Sequence, residues 1–354
     1  MPEDPAVTGP ATLRIGTRGS ALATTQTGHA ADALVAAGGP AYELEIIRTE
    51  GDVATGSLAA LGGTGVFAAA LRHALVDGRV DLAVHSLKDL PTAPHPGLAI
   101  GAVPVREDPR DALCARDGLR LEDLPEGATV GTGSPRRVAQ LLAARPDVTV
   151  VDIRGNVPTR LARVAGLDSS GPGDLDAVVL ASSGLRRLGL EGHISQHLDP
   201  SVMLPAPGQG ALALEVRAEV LHADAELAAQ ALGAYGDVPE HVRTPQRPGQ
   251  AELDAALVAA LSRVNHVESR WAVSAERALL ARLEAGCAAP VGTLATVEDG
   301  LLVLQVAVAS PDGTRLMRRT EASDELSVDA ARELGRRVGD GLLADGAAEL
   351  AGLR

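Results

Sequence analysis

The segment DLAVHSLKDLPT, residues 81–92, determines how the first part of this chain folds. Its first five residues are typical of a short buried strand, and a polar turn that ends at Pro91 follows directly. In open α/β sheets, ligands bind beyond the carboxyl ends of the strands. Lys88 and Asp89 lie at such an end and are therefore candidate site residues. Lys88 is also the only lysine among 32 lysine and arginine residues, which either marks a site or reflects an arginine-rich composition.

The alternation of strand and helix patterns continues on both sides of this segment. The first run has predicted strands at 13–17, 44–48 and 81–85, with helices at 21–37 and 66–76. The second run has predicted strands at 129–132, 148–152 and 177–180, with helices that begin near Ser134, Asn156 and Ser182. This alternation predicts parallel sheets covered by helices, in two units.

Two proline-containing segments, 103–111 and 204–216, predict where the chain crosses between the units and where it returns. The predicted fold class is α/β, with two doubly wound lobes that resemble type II periplasmic binding proteins, plus a small α+β C-terminal domain. The alanine-rich, polar residues 222–256 are interpreted as a surface insertion with marginal helices. The predicted division is lobe 1 at 1–104 and 205–221, lobe 2 at 105–204, the insertion at 222–256 and the α+β domain at 257–354. The predicted elements after the insertion are a helix at 271–283, strands at 291–296, 301–309 and 314–320, and a helix at 328–344.

The composition limits the kinds of partner and compartment. The formal net charge is −14, which argues against nucleic acid and anionic membranes as partners. The chain has one Trp, two Tyr and one Phe, too few to build a stacking platform for bases. No stretch approaches the roughly 20 apolar residues that span a bilayer, and the acidic start MPEDPAVTGP is unlike a signal peptide. Its two cysteines are too few for a disulfide framework and lack the spacing of a zinc site, so we expect a cytoplasmic protein without a metal. We also expect a monomer.

Arginines concentrate at the predicted strand-to-helix junctions. They are Arg18, Arg136, Arg137, Arg154, Arg160, Arg186 and Arg187, accompanied by Ser20, Thr132 and Ser134. Such junctions direct free backbone amides and a positive helix end toward a ligand, and guanidinium groups add bidentate binding of carboxylate or phosphate. A single arginine of this kind is more often part of a solvated surface. The whole set favours a cleft for a multiply charged small anion, either a polycarboxylate or a phosphate compound.

The two cysteines differ in their surroundings. Cys287, in LEAGCAAPVG, lies between glycine and proline residues and is predicted to be in a loop. A loop thiol is either a nucleophile or an anchor for a covalently held group. Cys114, in DALCAR, is predicted to be an inert buried residue. His85, inside a predicted strand, is interpreted as a core histidine whose hydrogen bonds are satisfied.

The chain also carries an ordered set of motifs from Leu13 to its C-terminus. They are RIGTRGSALA, TEGD, VHSLKDLPT, REDPRDAL, GTGSPRR, IRGNVPTRL, LASSGLRRLGL, LPAPGQGALALE, SAERALLARLEAGC and PVG. This set resembles the porphobilinogen deaminases, also called hydroxymethylbilane synthases, and residues 222–256 interrupt it.

The resemblance implies a transferase of tetrapyrrole biosynthesis that joins four porphobilinogen molecules head to tail, with loss of ammonia. It implies a dipyrromethane cofactor attached through Cys287, and Asp89 as the catalytic carboxylate. It implies that cofactor and substrate carboxylates are held by Arg18, Ser20, Lys88, Thr132, Ser134, Arg136, Arg137, Arg154, Arg160 and Arg187. The chain departs from the family at Ala60 and Thr64, where many relatives carry lysines, so a cationic role of this glycine-rich loop is in question.

A function of another class is also compatible with two lobes around a cationic cleft. A non-catalytic anion-binding module, such as a solute-binding protein or the effector lobe of a regulator, uses the same architecture. It predicts a signal peptide or an attached helix-turn-helix, and the sequence shows neither pattern. It also leaves Cys287 without a role.

Overall fold

The computed structural model describes residues 11–48, 66–167, 170–231, 247–286 and 289–353. Three sheets organise this described part of the chain. Two are mixed sheets of five strands, and the third is an antiparallel sheet of three strands. The fold is therefore α/β with an additional α+β unit, as the strand and helix patterns predict.

The first sheet contains the strand that precedes Lys88 and Asp89. Its strands are β1 (Leu13–Thr17), β2 (Tyr42–Ile46), β3 (Leu82–Ser86), β4 (Leu98–Ala102) and β10 (Leu212–Arg217), in the order β2-β1-β3-β10-β4. Helices α1 (Ala21–Ala36) and α2 (Val66–Val76) connect the strands. The Ser20 hydroxyl caps α1 by accepting a hydrogen bond from the Ala23 amide at 3.3 Å, as expected for an N-cap serine.

The second sheet repeats this order with strands from the middle of the chain. Its strands are β5 (Asp111–Ala115), β6 (Thr129–Gly131), β7 (Thr149–Val151), β8 (Ala177–Ala181) and β9 (Gln196–His197), in the order β7-β6-β8-β5-β9. Its helices are α3 (Pro135–Ala144), α4 (Val157–Leu161) and α5 (Ser182–Arg187). In each sheet, the fourth strand in this order directly follows, along the chain, a strand of the other sheet. The chain therefore crosses twice between the two sheets.

The direction of the crossing strands corrects the prediction of parallel sheets. β10 runs antiparallel to β3 and β4, and β5 runs antiparallel to β8 and β9. Hydrophobic periodicity identifies a strand but not its direction, which here depends on the side from which the chain enters the sheet. The predicted return to the first sheet within residues 204–216 is confirmed by β10.

The interpretation of residues 222–256 as a surface insertion is wrong for their described part. Helices α6 (Ala225–Gln230) and α7 (Gln250–Val264) pack against the first sheet. Leu253 and Leu257 of α7 belong to the same buried cluster as Leu13 of β1. Leucines at 253, 257 and 261 form an apolar stripe that the alanine-rich composition obscures. Residue 257 therefore lies inside a helix of the first unit, and residues 232–246 lie outside the described residues.

The third sheet packs beneath two long helices. Its strands are β11 (Val291–Glu298), β12 (Leu301–Ala309) and β13 (Leu316–Ser323). The helices are α8 (Val267–Arg282) and α9 (Val328–Ala344), followed by the short α10 (Ala347–Ala351). α9 has the predicted bounds because Ser327 caps it and its buried residues recur with the helical period.

A buried carboxylate joins the third unit to both crossing segments. Glu276 of α8 is 0% exposed and accepts hydrogen bonds from Arg106 Nη1 at 2.7 Å and from the Gly208 amide at 2.6 Å. It also accepts a hydrogen bond from the Ala295 amide of β11 at 2.8 Å. Arg106 precedes β5 of the second sheet, Gly208 precedes β10 of the first sheet, and Ala295 belongs to the third sheet. This one carboxylate therefore connects segments of all three sheets.

Candidate functional site

Asp89 lies in a small cavity beyond the end of β3. The cavity has a volume of 70 Å³, and its lining includes Arg18, Ser20, Gln26, Ser86 and Asp89. Arg18 and Ser20 follow β1, which is the parallel neighbour of β3, so the two strand ends bring these residues together. Asp89 is exposed to solvent, whereas Arg18 is half-buried. The structure thus places three of the predicted site residues around one cavity.

Arg187 reaches this cavity from the second sheet. Its Nη1 donates to Gln26 Oε1 at 3.3 Å, and its Nη2 donates to the Gly210 carbonyl at 2.7 Å. The same Gln26 oxygen accepts a hydrogen bond from the Ser86 hydroxyl at 3.0 Å. Burial lowers the pKa of Arg187, and no described carboxylate lies within 4 Å of it. Arg187 is therefore a buried cation between the two lobes, next to the Asp89 cavity.

Lys88 is directed toward a different set of groups than its neighbour Asp89. Its Nζ donates to Gln209 Oε1 at 3.3 Å. Burial lowers the pKa of Lys88 to about 8, and the negative charge of Asp89 offsets part of this effect. The positive charges of Arg137 and Arg136 lower the pKa further, which shows that they lie close to the ammonium. Lys88 is consequently a desolvated cation whose charge changes near neutral pH.

Arg136 and Arg137 share one buried carboxylate, Asp111. Arg136 Nη1 lies 2.7 Å from Asp111 Oδ2, and Arg137 Nη2 lies 2.7 Å from Asp111 Oδ1. Burial alone raises the pKa of Asp111, but the charges of the two arginines outweigh it and hold that pKa well below its usual range. Gln209 Nε2 donates to the same Oδ1 at 2.9 Å, which links this group to Lys88.

This pairing refines the predicted role of the two arginines. Part of each guanidinium is occupied by Asp111, which leaves fewer N–H groups for a ligand than the sequence suggests. Arg136 Nε, however, is buried and has no hydrogen-bond partner among the described residues. A buried donor without a partner is costly, so a ligand oxygen at this position would be stabilising.

Arg160 and Arg154 extend the positive region along the end of the second sheet. Arg160 is half-buried and donates from Nε to the Gly155 carbonyl at 2.8 Å. Burial lowers the pKa of Arg160, the charges of Arg137 and Arg154 lower it further, and the charge of Asp152 offsets part of this effect. Arg154 is exposed, with Nε 3.9 Å from Asp152. Arg160 thus lies near two other cations and forms no salt bridge with a described carboxylate, an arrangement that favours binding of an anion.

The remaining predicted residues have other surroundings. Thr132 is buried, and its hydroxyl accepts a hydrogen bond from the Ser134 amide at 3.3 Å. Ser134 precedes α3 but makes no side-chain capping bond. Arg186 is exposed and lies 3.5 Å from Glu107, as expected of a surface arginine. Cys287, Ala60 and Thr64 lie outside the described residues.

The burial of His85 and Cys114 confirms that both are core residues, whereas Nε2 of His85 makes no hydrogen bond of good geometry to a described residue. His85 Nε2 lies 3.1 Å from the buried Glu215 carboxylate. Cys114 of β5 is 0% exposed, and burial raises the pKa of its thiol to about 12. At neutral pH, Cys114 is therefore a protonated thiol without access to a reaction partner.

Three polar residues of the site escaped the analysis of the sequence: Gln26, Gln209 and Asp111. Gln26 is buried on the apolar face of α1, three residues after Ala23 and four before Ala30. A polar residue within an apolar helical stripe is a signal that could have identified it. Gln209 and Asp111 occur inside the two crossing segments, where loop composition gives no indication of burial.

Comparisons with known proteins agree with this arrangement. A family model described as the porphobilinogen deaminase dipyromethane cofactor binding domain matches residues 13–225, and the porphobilinogen deaminase C-terminal domain matches residues 271–344. This chain belongs to the porphobilinogen deaminase family. The porphobilinogen deaminase of Micrococcus luteus is 55% identical, with 96% of this chain and 94% of that protein covered. The porphobilinogen deaminase of Cutibacterium acnes is 50% identical, with 97% of each chain covered.

Two solved structures of other proteins are similar to this chain at a low level. Immunogenic lipoprotein A from Vibrio vulnificus has 12% identity and a TM-score of 0.34, with 72% of this chain and 100% of that chain covered. The periplasmic aliphatic sulphonate binding protein of Escherichia coli has 15% identity and a TM-score of 0.32, with 72% and 76% covered. Scores of this size carry no argument about function.

The residues around the Asp89 cavity fit the cofactor named for the porphobilinogen deaminase family. A dipyrromethane with carboxylate side chains needs several cations that are not already neutralised. Arg160 and Arg187 have no described carboxylate within 4 Å. Arg136 Nε has no described hydrogen-bond partner. These three groups are therefore suited to carboxylate binding, and Arg18 lines the Asp89 cavity itself.

Proposed function

We propose that this chain joins four porphobilinogen molecules head to tail, with loss of ammonia, to form hydroxymethylbilane, primed by a dipyrromethane bound through Cys287. The observation that carries this proposal is the solvent-exposed carboxylate of Asp89 in one cavity with Arg18. An exposed acid beside cations suits a substrate that carries carboxylates and loses an amine. Membership in the porphobilinogen deaminase family supports the same reaction.

Asp89 is the proposed catalytic residue. In its protonated form, it donates a proton to the amine of porphobilinogen, which leaves as ammonia. In its ionised form, it stabilises the positive charge that remains on the substrate. It then accepts the proton that is lost when the new carbon–carbon bond forms. Asp89 thus acts first as a proton donor and then as a proton acceptor, and it is protonated again at the end of each addition.

The cations hold the acidic side chains of substrate and product. Arg18 and Arg187 adjoin the Asp89 cavity, and Lys88 and Arg160 lie along the Asp111 cluster. Thr132, Ser134, Arg137 and Arg154 are assigned to the same function from the family motifs. A bound dipyrromethane supplies the pyrrole carbon from which the product grows. Arg136 would hold one of its carboxylates through Nε.

We also propose that the protein acts in the cytoplasm as a monomer and has neither nucleic acid nor a membrane as a partner. The net charge of −14 supports the exclusion of nucleic acid and anionic membranes, because an acidic surface repels both. Among the helices that the structure describes, none combines the length and the apolar character needed to cross a membrane.

Replacing Arg160 tests the proposed function together with the role of the cationic region. Wild-type protein is expected to convert porphobilinogen into hydroxymethylbilane and ammonia. Arg160→Leu should lower kcat/KM on the order of 10- to 100-fold, because a charge-assisted hydrogen bond contributes about 1.5 to 3 kcal/mol. The measurements are product absorbance and released ammonia.

The matched control is Arg120→Leu, which removes an arginine that is 57% exposed and pairs with Glu122 on the surface of the same lobe. It should leave kcat/KM unchanged, because exposed pairs contribute little. Equal losses in both variants would contradict a binding role of Arg160. Absence of product with the wild type would contradict the proposed reaction.

Lys88→Arg tests whether a compact ammonium is required next to Asp89. In the wild type, kcat/KM should fall as the pH rises through about 8, because Lys88 then loses the charge that pairs with a carboxylate. In Lys88→Arg, this fall should disappear, because a guanidinium stays charged. The variant should nevertheless be slower at neutral pH, since the wider group does not occupy the same volume. An identical alkaline fall in both proteins would show that another group titrates.

A further inference from the structure

A second and larger cavity lies between the first sheet and helices α8 and α9. Its volume is 390 Å³, within the range of small-molecule sites. It shares no lining residue with the Asp89 cavity. Its charged lining consists of Arg72, Arg277, Arg282, Arg332, Arg336 and Glu215. The proposed function uses none of these residues.

Cations outnumber anions on the wall of this cavity. The single carboxylate, Glu215, is already bound by Arg72 Nη2 at 2.8 Å and by His85 Nε2 at 3.1 Å. Arg332 and Arg336 pair with exposed carboxylates that do not line the cavity, Asp329 at 3.1 Å and Glu333 at 2.8 Å. Exposed pairs of this kind contribute little free energy, so these two guanidinium groups can turn to a ligand.

Arg277 is a cation of this cavity that forms no salt bridge with a carboxylate of the described residues. It is half-buried, and no described carboxylate lies within 4 Å of it. Its Nη1 donates to the Leu90 carbonyl at 3.0 Å and its Nη2 to the Pro91 carbonyl at 2.7 Å. Burial and the charge of Arg72 lower the pKa of Arg277 to about 10, and the charge of Glu215 offsets part of this effect. Two backbone carbonyls therefore fix a desolvated cation in place without cancelling its charge.

We propose that this cavity binds a small organic polyanion that carries at least two carboxylate or phosphate groups. Guanidinium groups bind both kinds of anion in a bidentate manner. Arg277 lies on α8 and Arg336 on α9, so a ligand with two anionic groups can contact both helices. The apolar residues Leu98 and Ile100 also line the cavity and provide contacts for a carbon skeleton.

The cavity is connected to the Asp89 segment by Arg277. Leu90 and Pro91, whose carbonyls Arg277 binds, directly follow Asp89 in the chain. A polyanion that attracts the Arg277 guanidinium weakens its bonds to these two carbonyls and changes the position of the segment. The cavity is thus an effector site, and this consequence for turnover rests on the proposed function. Binding itself is measured without substrate, so failure of the proposed function does not affect that measurement.

Calorimetric titration at constant ionic strength tests binding. Citrate and inorganic pyrophosphate are the probes with two or more negative charges, and acetate is the control with one. The wild type should bind citrate or pyrophosphate saturably and acetate not measurably. Arg336→Gln should weaken the binding roughly tenfold, as expected for one lost charge-assisted contact. Arg337→Gln is the matched control, because Arg337 is the next residue of α9, has similar exposure, and pairs with Glu321 away from the cavity.

Three results would overturn the assignment of the cavity. The first is that neither citrate nor pyrophosphate binds saturably, and the second is that acetate binds as tightly as citrate. The third is that wild type and Arg336→Gln bind citrate with equal affinity, which would place the anion in the arginine-rich cleft. Coupling is read from Trp271, the only tryptophan, which packs against the buried cluster of Leu87 and Leu90. Citrate should change its fluorescence in the wild type. Binding without such a change would overturn the connection to the Asp89 segment.

Discussion

Asp89→Ala is expected to remove nearly all turnover while the protein remains folded. Asp89 is exposed and lies outside β3, so its loss should change the melting temperature little. General acid–base catalysis contributes about 10² to 10⁴ in rate, and electrostatic stabilisation of charge in the transition state adds to it. We therefore expect kcat to fall at least about 10²-fold. The measurement is single-turnover and steady-state formation of hydroxymethylbilane.

Asp77→Asn is a suitable control for this experiment. Asp77 belongs to the same lobe, is 61% exposed and lies 3.8 Å from Arg79 on the surface. Its replacement should leave kcat within about twofold of the wild type, since an isolated surface pair contributes little. Asp89→Asn, which keeps the size of the side chain, should be as inactive as Asp89→Ala. A folded Asp89 variant with wild-type turnover would remove Asp89 from the mechanism.

The two cysteines are expected to behave in opposite ways when each is replaced by serine. If Cys287 anchors the cofactor, its sulfur forms a thioether with an electrophilic pyrrole methylene, and serine is a far weaker nucleophile. Cys287→Ser should therefore purify without the dipyrromethane adduct and without activity. Intact-protein mass spectrometry of the wild type and the variant measures the adduct directly.

Cys114→Ser provides the control because Cys114 is the other cysteine of the chain. Its thiol is buried in β5 with a pKa raised to about 12, so it is neither accessible nor ionised at neutral pH. Cys114→Ser should keep adduct and activity, with a loss of stability of about 1 to 3 kcal/mol from placing a hydroxyl in apolar surroundings. An adduct that persists in Cys287→Ser would exclude Cys287 as its attachment point.

The local elements of the fold were predictable because they depend on residues only a few positions apart. The bounds of α9 follow from the cap Ser327 and a helical stripe of apolar residues, and β1 follows from a short apolar run before a polar turn. The placement of Asp89 and Arg18 at strand ends followed from the same patterns. By itself, the sequence therefore determined the fold class and the ends of the strands that carry the candidate site, and it favoured an anionic ligand.

Only the tertiary structure decided which charges are neutralised. Asp111 occupies part of Arg136 and Arg137, which are 25 and 26 residues away, and Gln209 joins them from 98 residues away. The apolar stripe of α7 becomes informative only when it packs against β1. Arg277 faces a cavity that exists because β4, α8 and α9 meet there. Pairing and burial are properties of residues distant in the chain, and local periodicity contains no information about such contacts.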